Sequence, residues 1–133
     1  MKRVFVDTSA LLTLLDRADP RHGATRAAFL ELGDAELVTH GYVVAEAIAV
    51  TRRRFGVDGV IALLDGLLPL IALLPIDVEL HGAAQARYRE SLPSGTSFVN
   101  QVSIAVIERE AIDTALALDS DLAAAGAAVL PAP

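Results

Sequence analysis

The chain has 133 residues, no cysteine and a formal net charge of −6 at neutral pH. This length suits one domain with a hydrophobic core, and we expect a single domain over residues 1–133. The lack of cysteine excludes a disulfide framework and thiolate metal ligands. The negative charge argues against a protein that binds nucleic acid by bulk electrostatic attraction.

The apolar runs of the chain are too short for a membrane segment. The longest candidate, residues 59–77, is interrupted by Asp65, Pro69 and Pro75. An apolar run near the start is ended by Asp7, which makes it too short for the core of a signal peptide. We therefore expect a cytoplasmic protein with no membrane segment.

Strand and helix signals alternate along the chain. Apolar runs predict strands at residues 3–6, 36–39, 70–75 and 112–118, with a candidate edge strand at 129–130. Helical patterns predict helices near residues 10–15, 19–32, 41–55, 58–68, 77–91, 97–110 and 121–125. This alternation predicts an α/β protein in which helices cover both faces of a parallel sheet of four or five strands.

Some helix boundaries depend on single residues. Asp19 is the predicted cap of the second helix, and Pro20 is its predicted first residue. Gly56 is predicted to end the third helix. Asp77 and Ser97 are predicted to cap two later helices through their side-chain oxygens.

Acidic residues follow two of the predicted strands. Asp7 comes after the first strand, beside Thr8 and Ser9, and Asp119 comes after the fourth. Parallel sheets bind ligands at the carboxyl ends of their strands, and carboxylate oxygens suit Mg²⁺ or Mn²⁺. We interpret Asp7 as a functional residue rather than only a helix cap. Ser9 is interpreted as a cap or as a partner that holds Asp7, and not as a nucleophile.

Three further residues are candidates for the same site. Glu46 lies among apolar residues, where a buried carboxylate is costly unless it binds a cation or pairs; the alternative is an exposed stripe of the helix. Asp121, two residues after Asp119, either caps the last helix or reaches an ion through water. Asn100 lies three residues after Ser97, where a capping box has Glu or Gln. Its amide can orient a water but cannot act as a base.

The only dense basic cluster comprises Arg52, Arg53 and Arg54. Arginine suits bidentate phosphate contacts, so the cluster is a candidate for binding an RNA backbone. The alternative is a solvated helix end, where positive charge is favourable near the last carbonyl groups. The three histidines follow no zinc-binding spacing and are interpreted as surface or capping residues.

The order and spacing of these pieces resemble a PIN-domain ribonuclease of the VapC toxin type. The matching segments are residues 4–11, 19–22, 44–46, 96–100 with Ser103 and 105–106, and 117–122 before Gly126. Together they extend over nearly the whole chain. The resemblance implies a three-layer α/β/α sandwich, Mg²⁺ or Mn²⁺, and endonucleolytic RNA cleavage. The family acids map to Asp7, Glu46 and Asp119, with Asp121 accessory, and the third acidic position holds Asn100.

The resemblance also implies partners. Toxins of this type form homodimers and bind an antitoxin, which inserts a segment into the acidic cleft. Thr8, Ser9 and Ser97 would support the acids without touching the ion. Because Asn100 replaces an acid, one alternative is a silent PIN-like module that binds RNA or an antitoxin without cleavage. A receiver or haloacid-dehalogenase fold is a weaker alternative, because Lys2 is the only lysine.

Overall fold

The computed structural model describes residues 2–132. Its centre is a sheet of five parallel strands in the order β3-β2-β1-β4-β5. The strands are β1 (Arg3–Val6), β2 (Glu36–His40), β3 (Ile71–Leu74), β4 (Thr114–Leu116) and β5 (Ala128–Leu130). This confirms the predicted parallel sheet of four or five strands.

Helices connect the strands. They are α1 (Thr8–Leu15), α2 (His22–Glu31), α3 (Gly41–Ala62), α4 (Val78–Glu90) and α5 (Phe98–Glu110). Shorter segments are a π-helical turn at Leu63–Leu67 and 3-10 turns at Leu68–Leu70, Leu92–Ser94 and Asp121–Ala125. Within residues 2–132, no helix has the length and apolar character needed to cross a bilayer.

The central strand β1 is covered on both faces. Val4, Phe5 and Val6 are all fully buried, and successive side chains of a strand point to opposite faces of the sheet. Helix α1 packs against α2 and α3, while α4 packs against α5. The result is the predicted three-layer α/β/α sandwich.

The order of the strands reverses beside β1. The chain proceeds from β1 outward to β2 and β3, and then returns to place β4 on the other side of β1. The Asp7 backbone N–H donates to the Leu116 carbonyl oxygen at 3.0 Å, which extends the β1–β4 pairing by one residue. Sheets of this kind bind ligands in the crevice at such a switch point. Asp7 therefore lies at the position where the fold favours a site.

The predicted start of the second helix is wrong. Helix α2 begins at His22, three residues after Asp19. The Asp19 carboxylate accepts a hydrogen bond from the Arg21 backbone N–H at 2.8 Å and forms an ion pair with the Arg21 side chain at 3.0 Å. Asp19 therefore closes a turn before the helix instead of capping it, and Pro20 lies in that turn.

The predicted end of the third helix is a kink. At Gly56 the backbone has φ 70°, a conformation that glycine adopts at little cost. A second helical segment follows at once and continues to Ala62, so the predicted boundary at Gly56 is confirmed, but no loop separates the two helices. The two later caps are confirmed: the Asp77 carboxylate accepts from Leu80 N at 2.8 Å, and the Ser97 hydroxyl accepts from Asn100 N at 3.1 Å.

Candidate active site

The Asp7 carboxylate has one oxygen in use and one without a partner. Its side chain is buried, with 3% of the residue exposed. Asp7 Oδ2 accepts from the Ser9 hydroxyl at 2.7 Å and from the Ser9 backbone N–H at 3.3 Å, and so caps α1. Asp7 Oδ1 has no hydrogen-bond partner within residues 2–132. A buried acceptor without a partner is costly, so this oxygen favours a ligand.

The electrostatic environment of Asp7 also favours a cation. Burial raises the pKa of Asp7, and the negative charge of the neighbouring Asp119 raises it further, while the hydrogen bond from Ser9 acts in the opposite direction. Asp119 itself is exposed. Two carboxylates that repel each other in a partly desolvated crevice are stabilised by a positive charge between them.

Ser9 holds Asp7 in place. Its hydroxyl donates to Asp7 Oδ2 and accepts from the Leu118 backbone N–H at 3.0 Å. It therefore links the start of α1 to the segment that follows β4, which supports its interpretation as a partner of Asp7. The Thr8 hydroxyl is different, since it is buried and has no partner within residues 2–132. Thr8 affects Asp7 through its backbone N–H, which lowers the pKa of the carboxyl.

Asn100 contacts the second acidic residue after β4. Its side-chain amide donates to Asp121 Oδ2 at 3.0 Å, and the Asp121 backbone N–H donates to Asp119 Oδ1 at 3.1 Å. Ser120 precedes the 3-10 turn that begins at Asp121, and its side chain makes no capping hydrogen bond. The capping interpretation of Asp121 is therefore wrong, because its carboxylate bonds to Asn100 instead. Ser97 caps α5 beneath Asn100 and supports it only through the backbone.

Glu46 is not joined to this group by any contact. It is half-buried on α3, between the buried Val43 and Ala47, and has no hydrogen bond or ion pair within residues 2–132. In the same part of the chain, no three His, Asp or Glu side chains lie close enough together to hold a metal ion. The structure thus brings together Asp7 with Asp119 and Asn100 with Asp121. The ligand role of Glu46 stays a prediction.

The basic cluster lies further along α3. Arg52, Arg53 and Arg54 are exposed, and they follow Glu46 by six to eight residues. At 1.5 Å per residue they lie roughly 9–12 Å beyond Glu46 along the helix axis. Because α3 starts at the carboxyl end of β2, this displacement is away from the site. Their role in RNA binding stays a prediction.

His40 is a structural residue whose role was predicted correctly but whose position was not. It is fully buried, and its Nδ1 accepts from Tyr42 N at 3.2 Å and Val43 N at 3.3 Å, which caps α3. Its Nε2 therefore carries the proton and donates to the Ser103 hydroxyl at 2.9 Å. Burial lowers the pKa of His40 to about 4, so the ring is neutral. The capping role is right and the surface position is wrong; the signal was a polar residue directly before a helix.

A group of rings lies near His40 and was not predicted. We call Tyr42, His81, Tyr88 and Phe98 the aromatic cluster. The centroids of His81 and Phe98 are 5.4 Å apart, and the Tyr42 hydroxyl and His81 Nδ1 share a hydrogen bond of 2.6 Å. The four residues come from three helices that are distant in sequence. No local pattern could have predicted that they meet.

Comparison with known families identifies the class of protein. The PIN domain profile matches residues 4–128, and the chain belongs to the PIN-domain family. The crystal structure of VapC20 from Mycobacterium tuberculosis, a toxin that cleaves the sarcin–ricin loop, superposes with a TM-score of 0.83. The two chains are 26% identical, and the similarity covers 94% of this chain and 96% of VapC20. This confirms the predicted fold.

A second relative is similar in sequence over a shorter stretch. The ribonuclease VapC26 of Mycobacterium tuberculosis is 43% identical over 61 residues. The similar region is 46% of this chain and 44% of VapC26, so the match spans less than half the length of that relative. Both relatives are VapC proteins, which confirms the resemblance to the VapC type.

The oxygen atoms available at the site are of the type that binds a metal ion. PIN-domain VapC ribonucleases are generally metal-dependent. In this chain Asp7 Oδ1 has no partner, and no hydrogen bond within residues 2–132 uses the side-chain carbonyl oxygen of Asn100. Carboxylate and amide oxygens are ligands that Mg²⁺ and Mn²⁺ accept. The available oxygens therefore fit a hard divalent cation.

Proposed function

We propose that this chain is a metal-dependent endoribonuclease and the toxin of a toxin–antitoxin pair. The observation that carries the proposal is Asp7 Oδ1, a buried acceptor without a partner at the switch point of a PIN fold. We further propose that Asp7, Glu46, Asp119 and Asn100 surround one Mg²⁺ or Mn²⁺ ion. Asp121 would be an accessory residue that reaches the ion through water.

Each residue would have a definite task. Ser9 fixes the Asp7 carboxylate, so Oδ1 is presented without any rearrangement of the side chain. Asn100 offers a neutral carbonyl oxygen, which orients a water but adds no charge. When bound, a divalent ion supplies positive charge at the scissile phosphate and lowers the pKa of a coordinated water. Asp7 and Asp119 would provide most of the charge that holds the ion.

A second candidate function is a silent PIN-like module that binds RNA or an antitoxin without cleavage. The observation in its favour is the hydrogen bond from the Asn100 amide to Asp121. An Asp at position 100 would meet Asp121 as a second negative charge, and a cation would be needed between them. The amide satisfies Asp121 without an ion. The acidic group of this chain is therefore less dependent on metal than a group of four acids would be.

The experiment that separates the two functions restores the acid. We expect Asn100→Asp to raise Mn²⁺-dependent RNA cleavage by roughly two orders of magnitude or more, the effect of regaining one electrostatic catalytic group. The helix cap is kept, since Ser97 bonds to the backbone of residue 100. RNA that carries a sarcin–ricin loop is the first substrate to test, because VapC20 is a toxin that cleaves this loop.

The double variant Asn100→Asp with Asp7→Ala should cut no faster than a blank, which excludes a contaminating nuclease. If the parent chain cleaves RNA as fast as Asn100→Asp, position 100 is only a helix-start residue, and the proposed site with four ligands is wrong. If neither cuts while both bind RNA, the silent module is the better description.

We also propose a homodimer and an antitoxin as partners. Val57, Ile61 and Leu64 are exposed at helical spacing around the end of α3, and Leu73 is exposed on the edge strand β3. Large apolar side chains in such numbers favour a surface that a second copy covers. The acidic cleft would attract an arginine of the antitoxin. Light scattering should give a dimer at micromolar concentration and a monomer for Ile61→Glu; a monomeric parent chain would contradict the dimer.

A further inference from the structure

Tyr42 of the aromatic cluster lies one helical turn before Glu46 on α3, and we propose that the cluster binds an unstacked nucleobase of the RNA substrate. The proposal rests on the proposed function, because it assigns a substrate subsite to the same edge of the sheet. The cluster would recognise the face and edge of one base in a single-stranded or loop segment. Tyr42 and His81 would make the main contacts.

The position of the cluster follows from two helices. Tyr42 lies four residues before Glu46 on α3, and residues at this spacing are neighbours on one face of a helix. Phe98 lies in the same first turn of α5 as Asn100. Because these two residues point to different sides of the helix, Asn100 bonds to Asp121 while Phe98 packs on the ring of His81. The cluster therefore lies one helical turn from Glu46 on α3, and it shares the first turn of α5 with Asn100, on the other side of that helix.

The rings are more exposed than the residues of the hydrophobic core, although Tyr42 and Phe98 also pack against it. All four residues of the cluster are half-buried. His40, nearby, shows what a core histidine looks like here: it is fully buried and both of its ring nitrogens are bonded. His81 uses only Nδ1, in its bond to Tyr42, and its Nε2 has no hydrogen-bond partner within residues 2–132. That nitrogen is free to pair with the edge of a base.

The charge of the chain explains why stacking matters here. The net charge is −6, and the acidic residues of the proposed site repel phosphate groups. Aromatic rings bind bases through stacking, which requires no positive charge and tolerates different bases. RNA recognition in loops generally uses bases that are splayed out and stacked on such rings. An uncharged base subsite would thus hold the RNA next to carboxylates that the backbone would otherwise avoid.

The test measures RNA binding without cleavage. The parent chain is titrated into labelled single-stranded RNA in the presence of EDTA, and binding is followed by fluorescence anisotropy. An abasic oligonucleotide of the same length is the comparison. We expect Tyr42→Leu and His81→Ala to weaken binding of intact RNA by about tenfold, the usual effect of losing one stacked base. Their affinity for the abasic strand should not change.

Two control variants show whether an effect is specific. Tyr42→Phe keeps the ring and removes the hydroxyl, so it should retain the stacking contribution and bind intact RNA within about twofold of the parent. His22→Ala removes a half-buried histidine that lies outside the cluster and bonds to the Thr13 carbonyl. It should leave RNA binding unchanged. Melting curves of every variant establish that each one is folded.

A spectroscopic measurement locates the base directly. The chain has two tyrosines and no tryptophan, so in Tyr88→Phe the only tyrosine emission comes from Tyr42. Intact RNA should quench this emission, and the abasic strand should not. Phenylalanine at position 88 keeps the ring that packs on Phe98.

The results separate this inference from the proposed function. The inference is overturned if Tyr42→Leu and His81→Ala bind intact RNA like the parent, if they weaken both strands equally, or if the parent binds neither strand. In those cases cleavage by Asn100→Asp would still support the ribonuclease. If Asn100→Asp also fails to cut, the proposed function fails as well.

Discussion

Two buried titratable residues lie at the ends of neighbouring strands, and their surroundings are opposite. Asp7 follows β1 and keeps one carboxylate oxygen without a partner. His40 ends β2, and both of its ring nitrogens are bonded. Burial raises the pKa of Asp7 and lowers the pKa of His40 to about 4, so in both residues it disfavours the charged form.

The carboxyl ends of β1 and β2 therefore differ in what their buried residues can do. His40 is neutral and both of its ring nitrogens are bonded: it ends β2, accepts from the first backbone N–H groups of α3 and donates to Ser103 of α5. Asp7 is held by Ser9 but retains an unmet acceptor beside a second carboxylate. Unsatisfied polar atoms in a buried position are rare in folded proteins, and a bound ion or water is one physical explanation for them. These contacts support our proposal that the site lies at the β1 end and that the β2 end supports the fold around it.

The largest expected effect is on cleavage. In the Asn100→Asp background, Asp7→Ala should lower the rate by at least about two orders of magnitude, because it removes an electrostatic catalytic group. His40→Asn in the same background should retain the rate within about tenfold, since asparagine is also a good helix cap. Single-turnover cleavage with Mn²⁺ measures both. Equal losses in the two variants would break the distinction between site and support.

The next effect is the acid sensitivity of the fold. The pKa of His40 is about 4 in the folded chain and about 6.5 when unfolded, so the unfolded chain takes up the proton first. Stability should therefore fall as the pH drops from 6.5 to 4, by on the order of 3 kcal/mol. Urea unfolding across this range should show a shallower fall in His40→Asn. An unchanged slope would mean that His40 does not govern this transition.

A smaller effect at neutral pH concerns the cap alone. His40→Leu leaves the backbone N–H groups of Tyr42 and Val43 without their acceptor. The loss of a helix cap costs about 1–2 kcal/mol. Urea unfolding at neutral pH measures this loss, and Leu15→Met serves as a conservative comparison on α1. A stability equal to that of the parent would show that water replaces the imidazole.

The smallest effect has the opposite sign. The pKa of Asp7 is raised in the folded chain above its ordinary value of 3.8, so the charge on this carboxylate lowers stability as the pH rises above about 3.8. Asp7→Asn should raise the melting temperature by a few degrees at neutral pH without metal, and the gain should vanish below about pH 3.8. Mn²⁺ should stabilise the parent and not the variant. Equal stabilisation of both by Mn²⁺ would place the ion elsewhere.

Much of the fold was predictable because its signals are local. The buried strands appear as continuous apolar runs, and Asp77 and Ser97 cap the helices that they were predicted to cap. The start of α2 was mispredicted because a distinct local interaction, the pairing of Asp19 with Arg21, competes with capping. The helix boundary at Gly56 was predicted correctly, but a glycine alone does not show whether a loop or a second helical segment follows it.

For the site, the sequence determined which residues were candidates. Acids after strands, and an amide where an acid was expected, could be read from residue types and their order along the chain. Tertiary structure alone decided which atoms meet. Ser9 joins Asp7 to Leu118, Asn100 turns its amide to Asp121, and Tyr42 meets His81, because distant segments converge at one edge of the sheet. Such contacts depend on how helices pack across the sheet, and no local pattern encodes that packing.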